Sequence, residues 1–291
     1  MGATTTQETT PPTQTPDQGF VAWRRIRRRS ARILVGAVGI AMAIGLWALL
    51  AQRSVVIPGP WEVAVHIKDN LLASEYLEQR GMSTGIGYLG HILFTSRNVL
   101  AGVAIGALIG ITLGLNSLRV PIIREVVNPL TAAFGAAPIF VAAPFFLIWF
   151  GIQPAAQVAM VGFYTTLLLY VFSRRAGENI EAHYIESALM LGGESRSIFR
   201  WIYLPGTVPE ITGGFRIALA GAWGLAALAE LLGAQQGAGF LIKFFATAFR
   251  VDGMISIVVL LGLVAILFDY IVVVAGRYLT RWSESGRRLG F

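Results

Sequence analysis

The chain contains no cysteine, which excludes disulfide frameworks, thiolate metal sites and thiol nucleophiles. Lysine is almost missing as well: Lys68 and Lys243 are the only two among 23 basic residues. Ile67 and Ile242 precede them, so no Gly-Lys-Ser/Thr phosphate loop can be built. If ATP serves this protein, another chain must hold it, with its Mg; no cofactor is expected on this one. Histidine is equally scarce. His66, His91 and His183 are far apart, are expected outside the membrane spans, and lack metal-ligand spacing. The expected metal set is therefore empty, and no Ser/His/Asp or paired-carboxylate set falls on any one element. Charge is sparse, at 13% of residues, about half the roughly 25% of soluble domains.

What is present is apolar. Hydrophobic residues make up 55% of the 291 residues, and mean hydropathy is +0.65. Disorder is excluded for the bulk of the chain. The net charge of +7 would suit nucleic acid, but the arginines are spread between long uncharged runs, which points to a lipid bilayer and away from a nucleic-acid partner.

A spanning helix needs about 20 apolar residues. The uncharged or nearly uncharged runs predict six spans, near 33–51, 98–118, 129–150, 155–173, 214–234 and 254–276. Gly151-Ile152-Gln153-Pro154 divides the third from the fourth. With spans alternating, 17 basic residues fall on the side of both termini and 6 on the other. That bias places the N- and C-termini in the cytoplasm. Residues 1–22, rich in Thr, Gln and Pro, are expected to be a disordered cytoplasmic tail, and 23–291 the transmembrane domain.

Within the spans, Gly102, Gly106, Gly110 and Gly114 recur every four residues, predicting one glycine face for close helix packing. Pro138 and Pro144 should kink the third span; with Phe140 and Phe145 they make it a candidate lining of a translocation pathway. Glu230 reads as a carboxylate deep in the fifth span, a gate or structural residue, and Trp223 as packing or pathway. Asp269 is expected to pair with a nearby arginine or contact water. No arginine is expected well inside a span.

The segment 174–212 reads as two short amphipathic helices on the cytoplasmic side. The first, Gly177–Leu191, places Ile180, Tyr184, Ala188 and Leu191 on one face, and Gly192-Gly193 ends it. A second starts at Ser195 as N-cap and runs to Tyr203. Pro205 and Pro209 are expected to stop it before the fifth span. Arg196 and Arg200 lie four apart on this helix. Such a loop suits docking into a partner's groove or lying on anionic lipid.

Glu186-Ser187-Ala188, Gly192 six residues after the glutamate and Pro205 nineteen after it resemble the EAA loop of bacterial ABC importer permeases. That family usually carries Ala at the place of Ser187. Ile57-Pro58-Gly59-Pro60-Trp61, Ala137-Pro138, Trp149-Phe150-Gly151 and Ala229-Glu230-Leu231 resemble its nitrate/sulfonate/taurine branch. The resemblance implies an all-α polytopic membrane protein: the type I ABC importer permease fold, six transmembrane helices with a cytoplasmic coupling loop. It further implies a homodimer, two ATPase subunits bound at the EAA loops through Glu186, Ser187, Ala188, Gly192, Arg196, Arg200 and Pro205, and an extracytoplasmic substrate-binding protein. The cargo implied is a small anion such as a sulfonate, taurine or nitrate, with vitamin precursors, riboflavin or bicarbonate as the other cargoes of such machines. The implied location is the bacterial cytoplasmic membrane. A secondary transporter would show internal repeats and several midplane charges, which are not seen.

Overall fold

The computed structural model describes the backbone of residues 18–54, 56–82, 85–136, 139–152 and 154–281, with side chains from Leu34 onward except Ala136. Two units divide the chain at Pro60. The first is the helix α1, Gln18–Arg53. It starts ahead of the expected span, so residues 18–22 are helical; residues 1–17 lie outside the described part. None of its described side chains is buried within the chain, as suits a helix solvated by lipid. Trp47 Nε1 donates to the Pro58 carbonyl at 3.1 Å.

The second unit begins with α2 (Pro60–Asn70) and α3 (Glu75–Gln79), then α4, Gly87–Asn116. α4 begins eleven residues before the predicted second span. The polarity of Tyr88, His91 and Arg97 hid it; Tyr88 and His91 are buried by protein, whereas Arg97 is exposed. His91 is thus inside a long apolar helix, contrary to expectation, and fully buried. α5 (Pro121–Ala136), a 3₁₀ turn (Ile139–Ala142) and α6 (Ala143–Phe150) lie where the third span is predicted, as a helix pair broken by a bend of 94°. Pro144 sits in the first turn of α6, where its missing N–H costs no hydrogen bond. Pro138 lies outside the described residues.

α7, Pro154–Glu178, packs along α4. All four glycines of the α4 face meet it. A Cβ added at Gly102 would lie 2.7 Å from Val161 Cβ, at Gly106 2.5 Å from the Gly162 carbonyl, at Gly110 2.6 Å from the Thr166 carbonyl, and at Gly114 2.7 Å from Ser173 Cβ. Only a bare Cα admits this approach, and dispersion between close backbones holds the pair where lipid removes the hydrophobic drive. Asn98 donates to Gln157 at 2.6 Å across the same interface.

A loop containing α8 (Ala182–Met190), α9 (Ser195–Ile198) and a π turn (Phe199–Tyr203) leads into α10, Leu204–Gly233. α11 (Ala238–Thr247) and α12 (Val251–Leu279) complete the unit. The central core joins Val99 and Val103 of α4, Met160 and Val161 of α7, and Leu219, Ala222, Trp223 and Ala226 of α10. A second cluster, at the end where α4 starts and α10 stops, joins Leu77, Tyr88, Ile92, Leu241, Phe245 and Ile257. Among the described residues, five helices are long and apolar enough to cross a membrane, six with the bent pair counted as one.

Candidate functional site

The α7–α10 loop differs from its sequence reading in three ways. α7 runs on to Glu178, so the first loop helix is only α8, Ala182–Met190. Glu194, not Ser195, occupies the N-cap of α9, and its side chain makes no cap bond. Pro205 and Pro209 do not interrupt the chain: Ser195–Gly233 runs as one helical rod of 39 residues. The π turn explains this. The Leu204 amide reaches back to the Phe199 carbonyl, and the widened turn gives the Pro205 ring room on the first turn of α10. The fifth span therefore begins ten residues before the position the prolines suggested.

The end of α8 is closed by a Schellman motif. Gly193 N–H donates to the Ala188 carbonyl at 2.8 Å and Gly192 N–H to the Leu189 carbonyl at 3.0 Å. Gly192 sits at φ +77, and a Cβ on Gly193 would lie 2.7 Å from the Ala188 carbonyl. The two glycines do separate work, one supplying the left-handed turn and the other the clearance. Beyond this turn α8 has almost no cover. Glu186 and Ser187 are exposed and Ala188 is half-buried; Leu189, Met190 and Leu191 are 55%, 86% and 88% exposed. Arg196 and Arg200 are exposed on the rod, and Pro205 is half-buried. A cleft of about 580 Å³ between α8 and the start of α10 is lined by Ile180, Tyr184, Trp201, Pro205 and Pro209 among others. An exposed helix of this kind, held at one end of the bundle, suits docking onto a partner.

Glu230 lies three residues from the end of α10, and not deep in the span as expected. It is fully buried by protein. Thr95 Oγ1 donates to its two oxygens at 2.8 and 2.9 Å, and Gly239 N–H donates at 2.8 Å. Thr95 Oγ1 accepts Ala238 N–H at 2.8 Å, and His91 Nδ1 accepts Gly237 N–H at 3.1 Å. His91 Nε2 therefore carries the proton, 3.0 Å from the Met82 carbonyl. Three side chains thus receive the free amides at the N-terminus of α11, where the helix dipole favours a carboxylate. Gly237, at φ +112, and Gly239 leave the space Glu230 occupies. Sequence reading missed Thr95 and His91; their signal is a polar pair four residues apart on one face of an apolar helix.

The other candidate pathway residues divide by exposure. Phe140 and Phe145 are each 56% exposed, and Pro144 is exposed, all on the broken span. Trp223 is 4% exposed, and its ring lies 5.6 Å from that of Phe268, tilted by 40°, within the core. Arg216 overturns the expectation of no arginine inside a span. It sits twelve residues into α10 and grips Asp269 of α12 through two bonds of 2.8 Å. The longer α10 carries it inward, and the paired carboxylate makes the position tolerable in an apolar setting. A serine, histidine and aspartate do meet across elements: Ser256 Oγ is 3.2 Å from His66 Nδ1, and His66 Nε2 is 3.3 Å from Asp252. Ser256 is buried and donates to the Asp252 backbone carbonyl at 2.7 Å, so the group ties α2 to α12. Burial holds the His66 pKa below its ordinary value, against the pull of Asp252.

A set of membrane-length apolar helices with an exposed helical loop closed by a fixed glycine turn is an arrangement that suits a membrane subunit driven by a partner. Residues 102–284 match the family described as binding-protein-dependent transport system inner membrane component, and the chain belongs to that family, the permease subunits of ABC importers. These subunits are not themselves enzymes, and the family works with ATPase and substrate-binding partners. A probable ABC transporter permease of Brucella abortus is 27% identical over 248 residues, covering 85% of this chain and 94% of that one. The taurine transport permease TauC of Escherichia coli is 27% identical over 186 residues, covering 63% and 66%. Among solved structures, the inward-facing MetNI methionine ABC transporter aligns with a TM-score of 0.54 at 18% identity, over 72% of this chain and 98% of that one. That likeness shows the fold.

Proposed function

We propose that this permease acts as a homodimer clasped by two ATPase subunits, and that it imports a small anion of the sulfonate or taurine class across the bacterial cytoplasmic membrane with both termini inside. The carrying observation is the exposed α8 with its fixed glycine turn. In this reading Glu186, Ser187 and Ala188 enter the ATPase cleft, and Leu189, Met190 and Leu191 supply the apolar contact. Gly192 sets the angle of the docked helix, while Arg196 and Arg200 meet acidic groups at the rim. The Ser195–Gly233 rod carries Pro205 and is stiff from the docking end to the outer end. Closure of two ATPases then tilts two rods and exchanges inward- and outward-open states. Phe140, Pro144 and Phe145 line the pathway on the broken span; Trp223 supports it from the core, and Glu230 holds its outer end.

The sulfonate and taurine cargo rests on the relatives and not on a charged pathway, since Asp269 neutralises Arg216. A second cargo class is favoured by one observation: a formylaminopyrimidine transport permease, ThiX of Halalkalibacterium halodurans, is 26% identical and covers 82% of this chain. Uptake by the reconstituted complex with its binding protein separates the two. Taurine or an alkanesulfonate should accumulate with ATP and a formylaminopyrimidine should not; the reverse result replaces the cargo. Gly192→Val should leave ATP hydrolysis running while accumulation is lost.

A further inference from the structure

Six polar side chains meet where α5 runs beside the last turns of α7, at the end of α7 that leads to the α8 loop. Asn128 and Thr131 of α5 and Tyr170, Arg174, Arg175 and Glu178 of α7 line a cleft of about 350 Å³. Tyr170 is 1% exposed, and its hydroxyl donates to Asn128 Oδ1 at 2.7 Å. An Arg174 guanidinium N–H donates to the same atom. Arginine can only donate, which identifies that atom as the amide oxygen and leaves both N–H groups of Asn128 free among the described residues. Thr131 Oγ1 donates to the Asn128 backbone carbonyl at 2.9 Å. Arg174 Nε donates to Glu178 at 2.9 Å, so that carboxylate is already matched. Arg175 is exposed at the cleft and forms no ion pair with any described residue. Two guanidinium groups share the cleft with one carboxylate, which leaves one positive charge in excess.

Joining α5 to α7 needs less than this. Among the described residues, the hydrogen bonds between the two helices all end on Asn128 Oδ1, and Arg175 takes no part in them. What remains is a set of donors: the Asn128 amide N–H groups, the unused N–H groups of Arg174 and the whole Arg175 guanidinium. The Tyr170 hydroxyl and the Arg174–Glu178 pair hold the first two in place before any ligand arrives, which lowers the ordering cost of binding. We infer that this cleft binds one tetrahedral oxyanion, a sulfonate or phosphate group, against Arg175 and Asn128. Guanidinium N–H groups meet such oxygens two at a time, and the excess charge supplies the attraction. Two sources offer the group, a soluble anion and the headgroup of an anionic lipid. A soluble sulfonate would deepen the cargo reading above, and only the identity of the anion rests on that reading. Since the hydrogen bonds of α5 to α7 run through Asn128, an occupied cleft bears directly on the first half of the broken helix pair.

The test uses the full permease–ATPase complex, free of nucleotide, in nanodiscs of phosphatidylcholine. The permease has no native cysteine, so Thr131→Cys puts its only thiol on the cleft wall, and N-ethylmaleimide labelling is read on the permease band. Ethanesulfonate should slow that labelling relative to chloride at equal ionic strength. Arg175→Gln in the same background should raise the half-protecting concentration about tenfold or more. Nanodiscs containing phosphatidylglycerol, with no sulfonate added, identify the source: protection that Arg175→Gln removes assigns the group to lipid, and protection by ethanesulfonate alone assigns it to a soluble anion. Either result supports the site. Protection in neither medium, protection indifferent to Arg175→Gln, or a thiol that the reagent never reaches overturns it. A second measurement needs no thiol. Ethanesulfonate or phosphatidylglycerol should raise the Tm of the unsubstituted complex, and Arg175→Gln should abolish the rise while keeping the ligand-free Tm; an equal rise in both overturns the proposal. Protection by ethanesulfonate in a complex that imports no sulfonate would sink the cargo reading and leave the site standing.

Discussion

Replacing Glu230 by alanine separates a structural carboxylate from one that handles cargo. The side chain receives Gly239 N–H and the Thr95 hydroxyl in a fully buried site. Thr95 can turn to the His91 carbonyl, already 3.2 Å away, so the main loss is a buried amide without an acceptor. Hydrogen bonds to charged groups contribute about 1.5–3 kcal/mol, and a carboxylate at a helix N-terminus adds about 0.3–2 kcal/mol. The sum is about 2–5 kcal/mol. At about 2–4 °C per kcal/mol this is a fall in Tm of about 4–20 °C, read by thermal unfolding of the purified complex. Thr95→Val should cost a similar amount by orphaning Ala238 N–H, and the double variant should cost less than the sum because the two act as one unit. A Glu230→Ala protein with wild-type Tm and abolished transport would refute the reasoning and return Glu230 to the pathway.

Gly106→Leu should prevent a stable fold, because its Cβ alone would stand 2.5 Å from the Gly162 carbonyl; near-wild-type yield and Tm would contradict the α4–α7 contact. Arg216→Ala should lower stability by about 1–3 kcal/mol, moderated by partial exposure of the pair, and Arg216→Met with Asp269→Leu should recover most of it in the same unfolding assay. His66 has a folded-state pKa below 6.5, so the unfolded chain binds its proton more readily. Stability should fall as pH drops below about 6.5, and His66→Gln should flatten that part of the Tm profile.

The glycine face and the loop were legible because each rests on local rules: a four-residue spacing repeats along one helix side, and a glycine pair ends a short amphipathic run. Gly192 at φ +77 and the Gly102–Gly114 contacts with α7 follow from those rules. The partner helix was not legible, since spacing names a face and not what covers it. Arg216 was misplaced because charge was used to mark span ends, a rule that fails when a carboxylate 53 residues away neutralises it. Pro205 was read as a break because the π turn that accommodates it is a backbone adjustment without a residue signature. Glu230 looked isolated because Thr95 lies 135 residues away and the other partners are backbone amides, which no side-chain pattern displays.

The account turns on α8 being the docking element, and the absence of native cysteine makes that directly measurable. Leu191→Cys provides a single thiol at the 88% exposed end of the loop helix. In the assembled complex it should cross-link to an ATPase subunit through a short bifunctional reagent, with a yield that changes between nucleotide-free and ATP-bound states. A thiol that labels freely with water-soluble maleimide in both states and yields no ATPase adduct, in a complex that still transports, would contradict the account.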